Sequence, residues 1–184
     1  MLNILFVADV FARAGRRAAA NVIPKLIRDR DIDFCVVNGE NAAGGFGLTE
    51  NIVRKLGSYG ADVITTGNHV WDRKDFLPVL NRTDCLLRPC NYPQGVAGKG
   101  TVIAASRRDI RVGVINLQGR THLPSIECPF RAARNEAEKL RRETPVIIVD
   151  FHAEATAEKI AMGWYMDGLV SAVIGTHTHV QTAD

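Results

Sequence analysis

Cysteine is sparse in this chain, and what there is forms no familiar site. The four cysteines, Cys35, Cys85, Cys90 and Cys128, contain no C-x-x-C pair, which argues against a zinc knuckle or a thioredoxin-type centre. Four thiols in 184 residues make no disulfide framework, and reduced thiols are the default in a cytosolic protein. No apolar run approaches the roughly 18–20 residues that cross a bilayer. The opening stretch MLNILFVADVF has no basic segment ahead of its apolar run and no A-x-A cleavage site. A cytoplasmic location without a membrane partner is therefore expected. Low-complexity tracts, internal repeats and dividing linkers are missing, so residues 1–184 are expected to form one domain. There is no G-x-x-x-x-G-K-S/T phosphate loop. Asp9 is followed by Val10 and Phe11, so the D-x-D of aspartyl-phosphate phosphatases is absent too.

What remains is ordinary globular material: 46% hydrophobic and 23% charged residues, which disfavours disorder, collagen and coiled coil. A net charge of +3 suits an anionic substrate but not a nucleic-acid-coating protein. Short Val- and Ile-rich runs recur at Ile4–Ala8, Phe34–Val37, Val63–Thr66, Thr101–Ala105, Val112–Leu117, Val146–Val149 and Val170–Ile174. They lack strict polar alternation, as strands covered on both faces do. Helical patterns lie between them at Ala18–Arg30, Glu50–Ser58 after the N-cap candidate Thr49, Phe130–Arg142 and Ala155–Tyr165. Such alternation predicts a layered α/β sheet. The Pro-, Gly- and Asn-rich stretch from Asn81 to Gly100 predicts loops and a switch in sheet order.

The residues that follow these runs carry the chemistry. The first run leads to Asp9, the second to Glu40 and Asn41, the third to Asn68 and His69, the sixth to Asp150 and His152, the last to His177 and His179. Each alone has a bland reading: a helix cap, turn chemistry, an Asx-turn, a satisfied core histidine. His177 and His179, two apart on what reads as extended backbone, would point the same way. Jointly they predict a metal site, because ligands gather at the carboxyl edge of α/β sheets. Mixed nitrogen and oxygen donors without thiolate suit manganese, iron or zinc. One ion needs about four ligands, so six or seven candidates point to two ions about 3.5–4 Å apart, an arrangement suited to phosphoryl transfer. Glu40 is the candidate bridge. The glycines of Gly44-Gly45-Phe46-Gly47 miss the G-x-G-x-x-G spacing and are read as letting backbone pass close to the site. Arg13, Arg16 and Arg17 are candidates to attract phosphate at the mouth or to sit on a solvated helix start. Trp71 and Trp164 are read as core or rim packing.

The stretches ADVFARAGR (8–16), NGENAAGGFGLT (38–49), TGNHVWDRKD (66–75), DFHAEATAEK (150–159) and GTHTHVQTAD (175–184) together resemble the metallophosphoesterase superfamily, and within it the YmdB-like bacterial phosphodiesterases. Phe11 stands where the superfamily's D-x-H has its His, and Glu40 where its G-D has its Asp; both departures belong to the YmdB-like branch. The resemblance implies an α/β-β-α sandwich with mixed, largely parallel sheets. It implies that Asp9, Glu40, Asn41 and His179 hold one metal and that Glu40, Asn68, His152 and His177 hold a second. His69 would be a non-ligand acid.

Two ions are expected, iron or manganese first and zinc still open. The implied activity is hydrolysis of 2′,3′-cyclic nucleotides by attack of metal-bound hydroxide. The implied partners are small phosphodiesters, RNA only indirectly, and a second copy in a homo-oligomer. Family members continue past the position of Asp184, so a missing C-terminal part is expected. Two other readings stay open: a nucleotide- or RNA-binding regulator with a weakly catalytic metal site, and a metal-dependent phosphomonoesterase.

Overall fold

The computed structural model describes residues 1–182; Ala183 and Asp184, the end of the last quoted stretch, lie outside them. Strands β1 (Ile4–Val7), β2 (Phe34–Asn38) and β3 (Val63–Thr65) form a parallel sheet in that order. Strands β4 (Thr101–Ala105), β5 (Arg111–Gln118), β6 (Ile147–His152) and β7 (Ala172–Thr176) form a second, with β4 antiparallel to β5 and the rest parallel. The chain passes from one sheet to the other through the 81–100 segment. Two isolated parallel bridges, Ile64 with Leu86 and Leu87 with Lys99, mark the passage.

Side chains alternate across each strand, and that alternation builds the layers. Cys35, Val37 and Ile64 turn to α1 (Ala12–Asp29), α2 (Glu50–Ser58) and α3 (Leu77–Arg82), meeting Ala19, Ile23, Ile52, Leu56 and Leu80. Phe34, Val36 and Val63 turn the other way, onto Val112, Val114 and Ile148 of the second sheet. The outer face of that sheet, with Ile115, Leu117, Val149 and Phe151, packs on α4 (Pro129–Leu140) and α5 (Thr156–Tyr165). The result is the expected α/β-β-α sandwich. β2, β3 and β6 are buried along their whole length, whereas β1, β4 and most of β7 are only half-covered. The continuous apolar runs therefore mark two-face burial only in central strands.

Helix α1 starts six residues before the apolar periodicity does, at Ala12 instead of Ala18. Its first turns expose Arg13 and Arg17 and so carry no hydrophobic stripe to read. Thr49 caps α2 as expected, its hydroxyl accepting the Ile52 amide at 3.4 Å. Two 3-10 turns, Asn68–Trp71 and Lys74–Phe76, and the short α3 had no periodic signal. Among the described residues no helix is long and apolar enough to cross a membrane.

Candidate metal centre

Parallel pairing puts the carboxyl ends of β1, β2 and β3 on one edge, and those of β5, β6 and β7 on one edge of the other sheet. Buried polar side chains join the two edges. Asp150, fully buried in β6, accepts from Asn38 Nδ2 of β2 at 2.9 Å and from the Thr65 hydroxyl of β3. It also accepts from the Thr176 hydroxyl of β7 at 2.7 Å. Burial pushes the Asp150 carboxyl up to about 6, against these three hydrogen bonds and the charge of His152. Asp150 sits at a strand end as a carboxylate, yet its oxygens are used in tying strands together.

The seven donors expected from the sequence form one connected cluster. Glu40 lies at its middle, fully buried. One of its oxygens is 2.9 Å from His152 Nε2 and 3.2 Å from Asn41 Nδ2, and the other accepts the His69 backbone amide at 3.2 Å. On one side, His152 Nε2 is 3.0 Å from both Asn68 Oδ1 and His177 Nδ1. On the other, His179 Nε2 lies 3.0 Å from Asn41 Nδ2 and 3.6 Å from Asp9 Oδ1. Asp9 Oδ2 accepts the His177 amide at 3.1 Å.

The last pair arrives by a route unlike the one expected. β7 ends at Thr176, and His177 and His179 lie beyond it with φ of 103° and 55°. They converge through left-handed backbone, which L-residues adopt only at a cost, and not through the alternation of an extended strand.

Several orienting residues escaped the sequence reading. Thr176 Oγ1 gives its proton to Asp150, so at 2.9 Å it accepts from His152 Nδ1. That assigns the Nδ1 proton and turns Nε2 inward. Glu154 Oε2 stands 2.9 Å from His177 Nε2 and leaves Nδ1 facing the cluster. Asp72 Oδ2 is 2.7 Å from His69 Nδ1. Each lies within three positions of the histidine it serves or of its neighbour, so a carboxylate or hydroxyl close in sequence to a candidate histidine was the available signal. Gly67 is needed for another reason: a Cβ there would run into the His152 ring and a Glu40 oxygen.

Electrostatics follow from this crowding. Burial, the largest single effect, raises the Glu40 carboxyl, but the hydrogen bonds and charges of His152 and His69 together outweigh it and hold the group below the usual carboxylate range. Burial, the largest single effect, lowers His152, but the hydrogen bond and charge of Glu40 with the charges of Asp150 and Asp9 together outweigh it and hold the group above its ordinary value. His177 is lowered, by burial first and then by the charge of His152.

The donor set fits cations. Ligand atoms of Glu40, His152 and His177 all lie within 4.8 Å of one another, and His152 Nε2 alone has three close donor-type neighbours although it carries one proton or one lone pair. Asp9 Oδ1 is buried without a hydrogen-bond partner among the described residues, as expected of an oxygen meant for an ion. Asn41 now turns its nitrogen to His179; a half-turn of the amide presents its oxygen instead.

Elsewhere, Arg16 donates to the Ala42 carbonyl, while Arg13 and Arg17 are exposed on α1. Trp71 packs at the core edge against Tyr92, whereas Trp164 is 79% exposed and belongs to neither core nor site. A cleft of about 720 Å³ between α5 and β7, lined by Lys159, Trp164 and Val173, contains none of the seven donors.

Comparison with known proteins places the chain among relatives. A family model described as YmdB-like protein matches residues 5–184. The chain is 49% identical over 184 residues to the 2′,3′-cyclic-nucleotide 2′-phosphodiesterase of Bacillus subtilis (strain 168), covering all of this chain and 69% of that protein. A crystal structure of a hypothetical protein from Thermus thermophilus superposes with a TM-score of 0.90 at 40% identity, over 98% of this chain and 69% of that one. A crystal structure of a novel phosphatase from Mycoplasma pneumoniae gives 0.89 at 34%, over 100% and 68%. The chain thus spans just over two thirds of the length of each of these relatives. With a family match over nearly its whole length and a fold of the metallophosphoesterase type, the chain belongs to the YmdB-like family.

Proposed function

We propose that the chain is a phosphodiesterase that opens 2′,3′-cyclic nucleotides at a two-metal centre. The observation that carries this is the central place of Glu40, shared between a group containing Asp9, Asn41 and His179 and a group containing Asn68, His152 and His177. Those two groups would each hold one cation, with Glu40 common to both. The oxygen and nitrogen donors suit iron or manganese, with zinc open. When bound, such cations supply Lewis acidity at phosphoryl oxygens and bring the pKa of a water near neutrality.

The chain's own residues do the rest. Asp9, half-buried just after β1 with its side chain largely covered, and the buried carboxylate of Glu40 supply the negative charge that draws cations into the cluster. Thr176 and Glu154 hold His152 and His177 in fixed ring orientations. Asp72 occupies Nδ1 of His69 and fixes its ring, so proton transfer runs through Nε2. In the reaction a water oxygen bonds to phosphorus and loses a proton to solvent, the bond to the ribose 2′ oxygen breaks, and His69 Nε2 delivers the proton that oxygen needs and regains one from solvent. The products are the 3′-monophosphate and a free 2′ hydroxyl. The relative named as a 2′,3′-cyclic-nucleotide 2′-phosphodiesterase supports this choice of bond.

Replacing His69 with Ala tests the assignment. Turnover of 2′,3′-cyclic AMP is expected to fall by about 10²–10⁴, with bound metal, read by elemental analysis, unchanged. Retained metal with unchanged turnover overturns the role of His69. A metal-loaded wild type without turnover on any phosphodiester favours a binding protein. Because one relative is described as a phosphatase, a phosphomonoesterase is the second reading. Rates on 2′,3′-cyclic AMP against adenosine monophosphates separate the two.

A further inference from the structure

Two phenylalanines stand in water beside the cluster, Phe11 at 49% exposed and Phe46 at 59%. The hydrophobic effect opposes such exposure unless an apolar partner covers the ring at some stage of function. Their positions are not scattered. The Phe11 ring meets the His179 ring edge-on at 5.4 Å between centroids, and the Phe46 ring meets the His69 ring at 4.9 Å and 69°. One aromatic ring thus stands at each end of the cluster.

The loop carrying Phe46 is built to hold its ring outward. Gly44, Gly45 and Gly47 have φ of 78°, 108° and 70°, values glycine adopts without strain. The Ala43 amide donates to the Gly47 carbonyl at 3.0 Å and closes the loop around Phe46. A side chain at Gly45 would press on the Phe11 ring, 3.3 Å from where its Cβ would be. No phosphate-binding role needs a phenylalanine here, and the cores are complete without it.

We propose that Phe46 is the platform on which the nucleobase of the substrate stacks. This rests on the phosphodiesterase reading, because His69 sets the side. The proton goes to a ribose oxygen, so the nucleoside lies on the His69 side of phosphorus, and Phe46 is the ring against that imidazole. In a 2′,3′-cyclic nucleotide the base stands one sugar ring from the phosphate, and Phe46 stands one imidazole from the site of proton transfer. Stacking uses the π face that every base has. It therefore predicts tolerance of all four bases, with purines favoured over pyrimidines for their larger face. Phe11, against His179 at the far end, lies on the side away from the nucleoside.

The test compares 2′,3′-cyclic AMP with a methyl riboside 2,3-cyclic phosphate, which has no base, in wild type and Phe46→Ala. The variant is expected to raise KM for 2′,3′-cyclic AMP about tenfold more than KM for the base-free ester, with the purine preference lost and kcat little changed. Tenfold corresponds to ~1.4 kcal/mol. Phe46→Trp should restore the nucleotide KM, and Phe46→Leu, apolar but without a π face, should not. Equal shifts on both esters, or none, overturn the platform. A calorimetric titration of adenosine 3′-monophosphate against methyl riboside 3-phosphate reads binding without turnover. The nucleotide should bind more tightly to wild type and lose that advantage in Phe46→Ala. If the wild type hydrolyses neither ester, the phosphodiesterase reading fails, and the titration judges the platform alone: no advantage for the nucleotide, or one kept by Phe46→Ala, overturns it.

Discussion

At Asp9, His177 and His179 the backbone takes φ of 38°, 103° and 55°, in the region that costs a residue with a Cβ on the order of 1–3 kcal/mol. Three of seven candidate ligands sit there, and contacts such as the His177 amide on Asp9 hold them in place. Strain of this kind collects where chemistry dictates side-chain direction. Gly67 shows the complementary demand, for a position where backbone must pass so close that no side chain fits. The cysteines, by contrast, divide by environment alone. Burial pushes the Cys35 and Cys90 thiols up to about 12. Slight burial raises Cys128 as well, but at the N-cap of α4 the amides of Arg131 and Phe130 and the charges of Arg120 and Arg131 outweigh it and lower its pKa. A lowered thiol pKa means more thiolate at a given pH. Iodoacetamide at pH 7.5–8 should therefore label Cys128 first, with its half-maximal pH below that of an ordinary thiol and with Cys35 and Cys90 unlabelled in the native protein. Peptide mass spectrometry reads the order.

The strand is the element that matters most to the site, and its carboxyl end the part that matters. β6 finishes in Asp-Phe-His, where Phe151 enters the core while Asp150 and His152 face the opposite way. β7 runs beside it in register, His152 opposite Thr176, so one hydroxyl serves both Asp150 and His152. Thr176→Val keeps shape and β propensity but removes that hydroxyl. It leaves Asp150 Oδ1 and His152 Nδ1 without this partner in a buried place, a loss of about 1–3 kcal/mol. It also frees the imidazole that Thr176 orients, which typically weakens metal binding about 10–100-fold. Urea unfolding midpoints and a metal titration should show both effects. An unchanged metal affinity would mean that Thr176 serves stability alone.

Across the whole molecule, the cluster joins two sheets that also meet through apolar side chains and through the hydrogen bonds of Asp150. Asp9, Glu40, Asn41 and Asn68 follow the first sheet; His152, His177 and His179 end or follow the second. An ion held by both groups would clamp the layers together, and anything that binds only the folded state stabilises it by mass action. At a free metal concentration about 100 times Kd the gain is about 2.7 kcal/mol, which for a chain of this size raises Tm by about 5–10 °C. Adding manganese or iron to chelated protein should produce that rise, and EDTA should reverse it in a thermal melt. A melt insensitive to both would separate the cluster from any cation.

Local chemistry in the sequence determined the order of the strands and of every helix but α3, the placing of β4 and α2 to the residue, and the strand-end positions of all seven candidate ligands, because burial on both faces and a Thr cap leave marks in the chain itself. It did not determine the early start of α1 or the 3-10 turns after β3, which carry no apolar period. Nor could it separate Asp150, consumed in tying strands, from Asp9, left with an orphan oxygen: both read as an acid after an apolar run. Only the tertiary structure decided that, along with the left-handed turn that brings His177 and His179 inward and the exposure of Phe46 beside His69. These depend on which atoms meet across long and unequal stretches of chain, from Phe46 with His69 to Asp9 with His177, and no local pattern records such a meeting.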